Sequence, residues 1–385
     1  MIFWFVMVIT FGFQTILNLT RPVISLNANE LGASTFEIGL LTAAFAFLPL
    51  IFAIQAGKIA DKIGDRLPIL CGLIGMSVGL AVPFFYQNIW ALFASQFIVG
   101  ISNVFLVVSL QNILGQISTA ENRDQYYSMF GMAVALGVLV GPVLGGYISE
   151  HYSYAFVYLV SILISVIPVF LSFLIPVIIK KDKLVKRSLL SSIGLLKNPI
   201  LKQALISSAL VLYSRDIFIA YFPLFAKENG ITDSTIGWII SVQGIAMMII
   251  RFILPKISNA FGQKKVLILS IVLAGFSFLF MPFTGHPILL GMLSFMMGVG
   301  LGCGQPISMS ITYSVSPKSR TGEVLGLRLS TNRLSQLIAP ILFGIIGSWM
   351  GILSVFLVSS MFLLGGSAYL STSKKILEQN KYNSS

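Results

Sequence analysis

Gly57-Lys58-Ile59-Ala60-Asp61-Lys62-Ile63-Gly64-Asp65-Arg66 is the one densely charged stretch in the first hundred residues. It sits between two apolar runs, 36–57 and 67–86, with Glu37 their one charged residue, each long enough to cross a bilayer. Short charged segments resist entering lipid, and the glycines permit close helix approach and a tight turn. The stretch therefore reads as a connection at a membrane face.

Working outward, the same alternation fills the chain. Apolar runs at 2–26, 36–57, 67–86, 88–117, 125–149, 153–179, 199–227, 233–254, 265–284, 286–315, 323–348 and 350–373 predict twelve membrane spans. Only 10% of the 385 residues are charged, and the mean hydropathy is +0.92. Soluble domains carry about 25% charged residues, so a soluble enzyme, a disordered chain and a disulfide-rich secreted domain are excluded. The runs are about twice the length of barrel strands and do not alternate, which excludes a β-barrel. Met1–Leu19 has no basic leader or small-residue cleavage site and reads as a retained first span.

With the N-terminus inside, the connections on the cytoplasmic side and the C-terminal tail carry most of the 25 Lys and Arg residues. Only Lys227 falls in an outer loop. This bias predicts cytoplasmic termini and accounts for the net charge of +12 without nucleic acid. The expected organisation is an N-terminal six-helix bundle at 1–179, a basic cytoplasmic linker at 180–198, a C-terminal bundle at 199–373 and a tail at 374–385. The halves repeat at an offset of 198: Ile38-Gly39 with Ile236-Gly237, Gly64 with Gly262, Gly100 with Gly298, Gly141-Pro142 with Ala339-Pro340. Six spans per half make the repeats parallel. Two such pseudo-symmetric bundles can rock about a midplane site, which is the architecture of alternating access.

Gly57, Asp61, Lys62, Gly64 and Arg66 match the signature G-x-x-x-D-[RK]-x-G-[RK]-[RK], which the stretch resembles, of the major facilitator superfamily; Asp65 stands where a base is usual. Span 5 carries Gly137, Gly141, Pro142, Gly145 and Gly146, which is similar to the antiporter motif of that family's exporters. The resemblance covers the whole chain and points to the twelve-span, drug:proton-antiporter-like branch. It implies that Asp61 latches an inner gate against span 11. It also implies that spans 1, 4, 7 and 10 line the cavity. Gln96 occupies the span 4 position where proton-coupled members usually carry Arg.

Polar groups within spans are costly and are functional candidates. The candidate substrate cavity comprises Gln14, Asn18 and Arg21 on span 1, and Gln96, Asn103 and Gln111 on span 4. Span 7 adds Tyr213 and Arg215, span 10 adds Gln305, and span 11 adds Arg328, Asn332, Arg333 and Gln336. Asp216 is the one carboxylate placed deep in a span and is the candidate proton-coupling group. Four Arg residues against one Asp favour an anionic or zwitterionic substrate.

No Walker loop, clustered nucleophile or metal-ligand set is present, so the sequence predicts no enzyme, no cofactor and no metal. The expected function is a proton-driven exporter of small organic molecules in the plasma membrane, acting as a monomer, with protons, the substrate and the bilayer as its partners. An uptake symporter or uniporter is the alternative, and a membrane-embedded enzyme the distant one.

Overall fold

The computed structural model describes residues 1–119, 123–176, 198–316 and 321–372. Among these residues there are no strands and twelve helices long and apolar enough to span a membrane. In chain order they are α1 (Ile2–Glu30), α2 (Thr35–Ile63), α3 (Arg66–Phe85), α4 (Ile89–Ile117), α5 (Arg123–His151), α6 (Tyr154–Ser172), α7 (Pro199–Glu228), α8 (Asp233–Phe261), α9 (Gln263–Phe280), α10 (Pro287–Ser314), α11 (Thr321–Met350) and α12 (Ile352–Thr372). The protein is an all-α membrane protein.

Side chains that satisfy orphan N–H groups fix the helix starts. Ser34 and Glu37 form a reciprocal capping box on α2. Asn88 accepts from Ala91 N at 2.9 Å on α4, and Ser153 accepts from Phe156 N at 3.1 Å on α6. Asn198 caps α7 through Ile200 N at 3.0 Å.

Helix boundaries differ from the apolar runs where helices outlast the hydrocarbon. The charged stretch taken as a loop is helical up to Ile63, because nothing in Lys58–Ile63 breaks a helix. Gly64, at φ 83°, ends it. α1 likewise runs on to Glu30, and α8 to Phe261. Span 6 is shorter than its apolar run: α6 stops at Ser172 in a turn. Apart from Asn198, the 180–198 linker lies outside the described residues, as does the 374–385 tail.

The repeat extends to backbone detail. Thr35 and Asp233, Ile89 and Pro287, Tyr154 and Ile352 each start corresponding helices 198 residues apart. The left-handed glycines pair the same way, Gly32 with Gly230 and Gly64 with Gly262. A Cβ on Gly100 would strike the Phe45 carbonyl, and one on Gly298 would strike the Gln243 carbonyl. Phe45 and Gln243 are themselves 198 apart, so both copies use one close backbone crossing, α2 on α4 and α8 on α10.

The chain forms two compact units. One takes α1 to α6 together with Ile219–Ser241; the other takes the described residues of Leu184–Phe218 and Val242–Ser385. In the first, α1 packs on α5 and α6, and α3 on α4 and α6. Leu19, Val23, Ile148 and Val157 form an apolar cluster there. In the second, α9 packs on α10 and α12, and Leu201 and Leu205 of α7 meet Val324 of α11.

Candidate functional site

The polar residues of the second unit converge on α7, α10 and α11. Arg328, Asn332 and Gln336 are spaced four apart and share one face of α11. Ser208 Oγ donates to Asn332 Oδ1 at 2.8 Å and approaches Gln305 Oε1 at 3.3 Å. Gln305 Nε2 donates to the Ser208 carbonyl at 2.9 Å, and Arg328 Nη2 donates to Gln305 Oε1 at 2.6 Å. Two turns further along α7, Gln336 Nε2 donates to Asp216 Oδ2 at 2.8 Å, while Gln336 Oε1 accepts from Arg333 Nη1 at 3.1 Å. The Gln336 amide thus joins a cation to an anion, and these two contacts fix which end of it is oxygen. Asp216 is 4% exposed and Asn332 5%. Ser308 and Thr312 are fully buried and bond to carbonyls, Ser308 to that of Ala204 and Thr312 to that of Ser308. Tyr213 donates to the Ser359 carbonyl and stacks on Phe343; Arg215 is half-buried.

Hydrogen bonds between helices in lipid contribute about 0.6 kcal/mol each, so a chain of them is a small stability gain for several buried polar groups. The repeat shows that the fold does not require them. At offset 198, Arg328, Asn332, Arg333 and Gln336 correspond to Phe130, Val134, Ala135 and Val138, and Gln305 corresponds to Val107. At these positions one copy of the helix pair is apolar and the other carries the polar and charged groups. Ser208, which ties Gln305 to Asn332, escaped sequence reading because a serine in an apolar run carries no signal by itself.

The first-unit candidates are less connected. Asn18 Nδ2 donates back to the Gln14 carbonyl at 2.7 Å and to Gln14 Oε1 at 3.3 Å, within α1. Arg21 lies over the Phe45 ring, 5.0 Å from its centroid, a cation–π contact. Gln96 and Asn103 are buried, but Gln111 on the same predicted stripe is exposed. The next residue, Asn112, turns instead to the charged stretch. Asn112 Nδ2 donates to both oxygens of Asp65 at 2.9 and 3.0 Å, and Gln116 Nε2 donates at 3.0 Å. Asp65, 1% exposed, therefore ties the α2–α3 turn to the end of α4. The side chain of Asp61 lies outside the described residues.

The span 5 glycines form a two-sided seam. A Cβ on Gly137, Gly141 or Gly145 would collide with α1 between Gln14 and Leu19. Gly146 lies against the Asp233 carbonyl and Gly237 against the Pro142 carbonyl, within the first unit. Ser241 Oγ donates to the Leu139 carbonyl at 2.7 Å, and Glu150 Oε2 accepts from Ser234 N at 2.8 Å. Contacts at 139, 142, 146 and 150 thus recur at nearly four-residue intervals along α5 and run antiparallel to the start of α8. Beside this seam lies a cavity of about 530 Å³, whose lining includes Glu30, Glu150, Lys227 and Asp233. Lys227 and Asp233 pair at 2.6 Å.

Twelve apolar helices in a twofold repeat, with the buried Asp216 and Arg328 on α7 and α11, define a membrane secondary transporter. The sequence profile of the Major Facilitator Superfamily matches residues 3–203 and again 204–381, and the chain belongs to that superfamily. It is not an enzyme. It is similar to the multidrug resistance protein MdtG of Dickeya zeae, 28% identical over 91% of this chain and 89% of that protein. It is also similar to the PmrA multidrug efflux pump homologue of Lactococcus lactis, at 22% over 90% and 88%. Its fold matches the crystal structure of the nucleoside transporter NupG with a TM-score of 0.83 over 97% of this chain and 100% of that one, at 14% identity.

Proposed function

We propose that this transporter exports small organic molecules against a proton gradient, from a plasma membrane in which both termini face the cytoplasm. The observation that carries this reading is the buried Asp216 carboxylate, held by Gln336, which Arg333 holds in turn. A carboxylate at this depth takes up or releases a proton when its partners change, and in alternating access they change in every cycle. Asp216 is the proton-coupling group. The Arg residues select an anionic or zwitterionic substrate, with Gln305, Asn332 and Gln336 supplying orienting hydrogen bonds; the span 1 and span 4 candidates supply further substrate contacts. Asp61, with Gly57, Lys62, Gly64 and Arg66, gates the cytoplasmic side. The bundles at 1–179 and 199–373 move about the 180–198 linker, and one copy of the chain suffices.

The antiporter-type glycines and the similarity to proteins named for multidrug resistance support export over uptake. The test uses inside-out membrane vesicles with an imposed pH gradient, acid inside, and a panel of labelled anionic, zwitterionic and cationic compounds. Gradient-dependent accumulation of an anion or zwitterion that an ionophore abolishes is the expected result. Accumulation only in right-side-out vesicles would replace export with uptake.

A further inference from the structure

Arg328 is 8% exposed, and its guanidinium is only half used. Nη2 donates to Gln305 Oε1 at 2.6 Å and more weakly to the Gln305 carbonyl at 3.3 Å. Nε is buried and has no hydrogen-bond partner. No carboxylate among the described residues pairs with it. An arginine stays charged in proteins, so a buried N–H of this kind is a standing demand for an acceptor.

The geometry specifies that acceptor. Nε and Nη2 lie on one edge of the guanidinium, spaced to receive the two oxygens of a carboxylate side by side. Gln305 offers that edge a single side-chain oxygen, so it fills the Nη2 half and leaves Nε unmatched. The amide is planar, like a carboxylate, and Gln305 is itself held from the far side, by the Ser208 carbonyl at 2.9 Å. In the other repeat the corresponding residues are Phe130 and Val107, so the fold has no need of a cation here.

We propose that the Nε–Nη2 edge of Arg328 is the binding site for a carboxylate on the transported substrate, and that the Gln305 side-chain amide oxygen is a neutral placeholder which the carboxylate displaces. The proposal rests on reading the α7–α10–α11 chain as the transport site, and it narrows the substrate class to carboxylates. A bound carboxylate supplies both missing contacts at once and neutralises the buried charge. Gln305 stays close to its present position through Ser208.

The test is ligand-dependent thermal stabilisation of the purified full-length protein with matched pairs, acetate with acetamide and benzoate with benzamide. Carboxylates should raise Tm and their amides should not. Arg328→Lys, which lacks the fork, should weaken the carboxylate response by about ten-fold or more, and Arg328→Gln should remove it. Gln305→Glu places a carboxylate permanently on the same edge. It should raise the ligand-free Tm and abolish the response, so the claim stays testable if the Arg328 variants fail to fold. Equal responses to acid and amide, an undiminished benzoate response in Arg328→Gln, or an unchanged one in Gln305→Glu would overturn the site. Vesicle transport separates this from the export reading. Carboxylate binding without proton-driven movement keeps the site and removes the pump. Proton-driven movement of a cation that is indifferent to Arg328 keeps the pump and removes the site.

Discussion

Glu150, at the end of α5, accepts a hydrogen bond at 2.8 Å from the backbone N–H of Ser234 in the first turn of α8, a residue 84 positions away. The carboxylate does for a distant helix what an N-cap side chain does for its own, satisfying an orphan N–H at the electropositive end. Glu150→Ala should destabilise the protein by about 0.5–1 kcal/mol, at the low end of capping values because the group is exposed. Glu150→Gln, which keeps an acceptor and loses the charge, should fall between. Unfolding midpoints in a mild-detergent to SDS titration rank the three; an unchanged midpoint in Glu150→Ala would mean the contact contributes nothing.

Asp216→Asn keeps a group that can still accept from Gln336 but cannot titrate. It should abolish proton-driven accumulation while leaving substrate exchange between vesicle and bath. Arg333→Gln should raise KM, since it removes a substrate-selecting cation, while gradient-driven transport persists because the Asp216 carboxylate is kept. Full gradient-driven transport in Asp216→Asn would remove the coupling assignment.

Asp65→Ala should cost about 1–3 kcal/mol, because it removes the carboxylate to which the Asn112 and Gln116 amides donate. The Asn112→Ala change alone should cost less, as Asp65 retains Gln116. A double-mutant cycle between positions 65 and 112 should show clear coupling; additive effects would show that the hydrogen bonds are not what holds the turn.

Gly146→Val should disrupt the seam with α8, since even a Cβ there meets the Asp233 backbone, and overpacking costs about 1–3 kcal/mol. Gly131, on the same helix, has nothing within 4 Å of an added Cβ. Gly131→Ala should be neutral or slightly stabilising. Equal stability losses at both sites would point to a general need for glycine in α5 rather than to the seam.

Membrane orientation is open to direct labelling. Single cysteines at Lys62 and Asn229, both exposed, should react with an impermeant maleimide from opposite sides in a background lacking Cys71 and Cys303. Reaction of both from one side would invalidate the charge-bias assignment.

The spans and the repeat were legible because lipid permits little but long apolar helices, so the pattern is strong and local. Helix ends were less legible. Hydropathy stops where charge begins, whereas α2 stops only where Gly64 adopts a left-handed backbone. The stripe of Arg328, Asn332 and Gln336 was readable from spacing, and Asp216 from its isolation. What spacing could not supply was partnership. Asp65 looked like a flaw in a basic motif until Asn112 and Gln116 were found on it, and those two lie on a different helix. Offset comparison held an unused signal: polar residues in one copy facing apolar residues at the same places in the other mark a site without any structure.

The assignment of Ile219–Ser241 to the first unit bears on how the chain is made. The glycine face of α5 and the Glu150 carboxylate enter the membrane before their partners on α8 exist. At roughly 5–20 residues per second, several seconds of synthesis separate the two events. During that interval the first six helices hold an unfilled groove beside α1 and α5, open to lipid, to the insertion machinery or to another nascent chain. The first half therefore cannot reach its final packing as it emerges. Its completion waits on the arrival of α8, and a chain severed in the central linker would leave the N-terminal fragment without Ile219–Ser241, a segment the C-terminal fragment would carry away from its own unit.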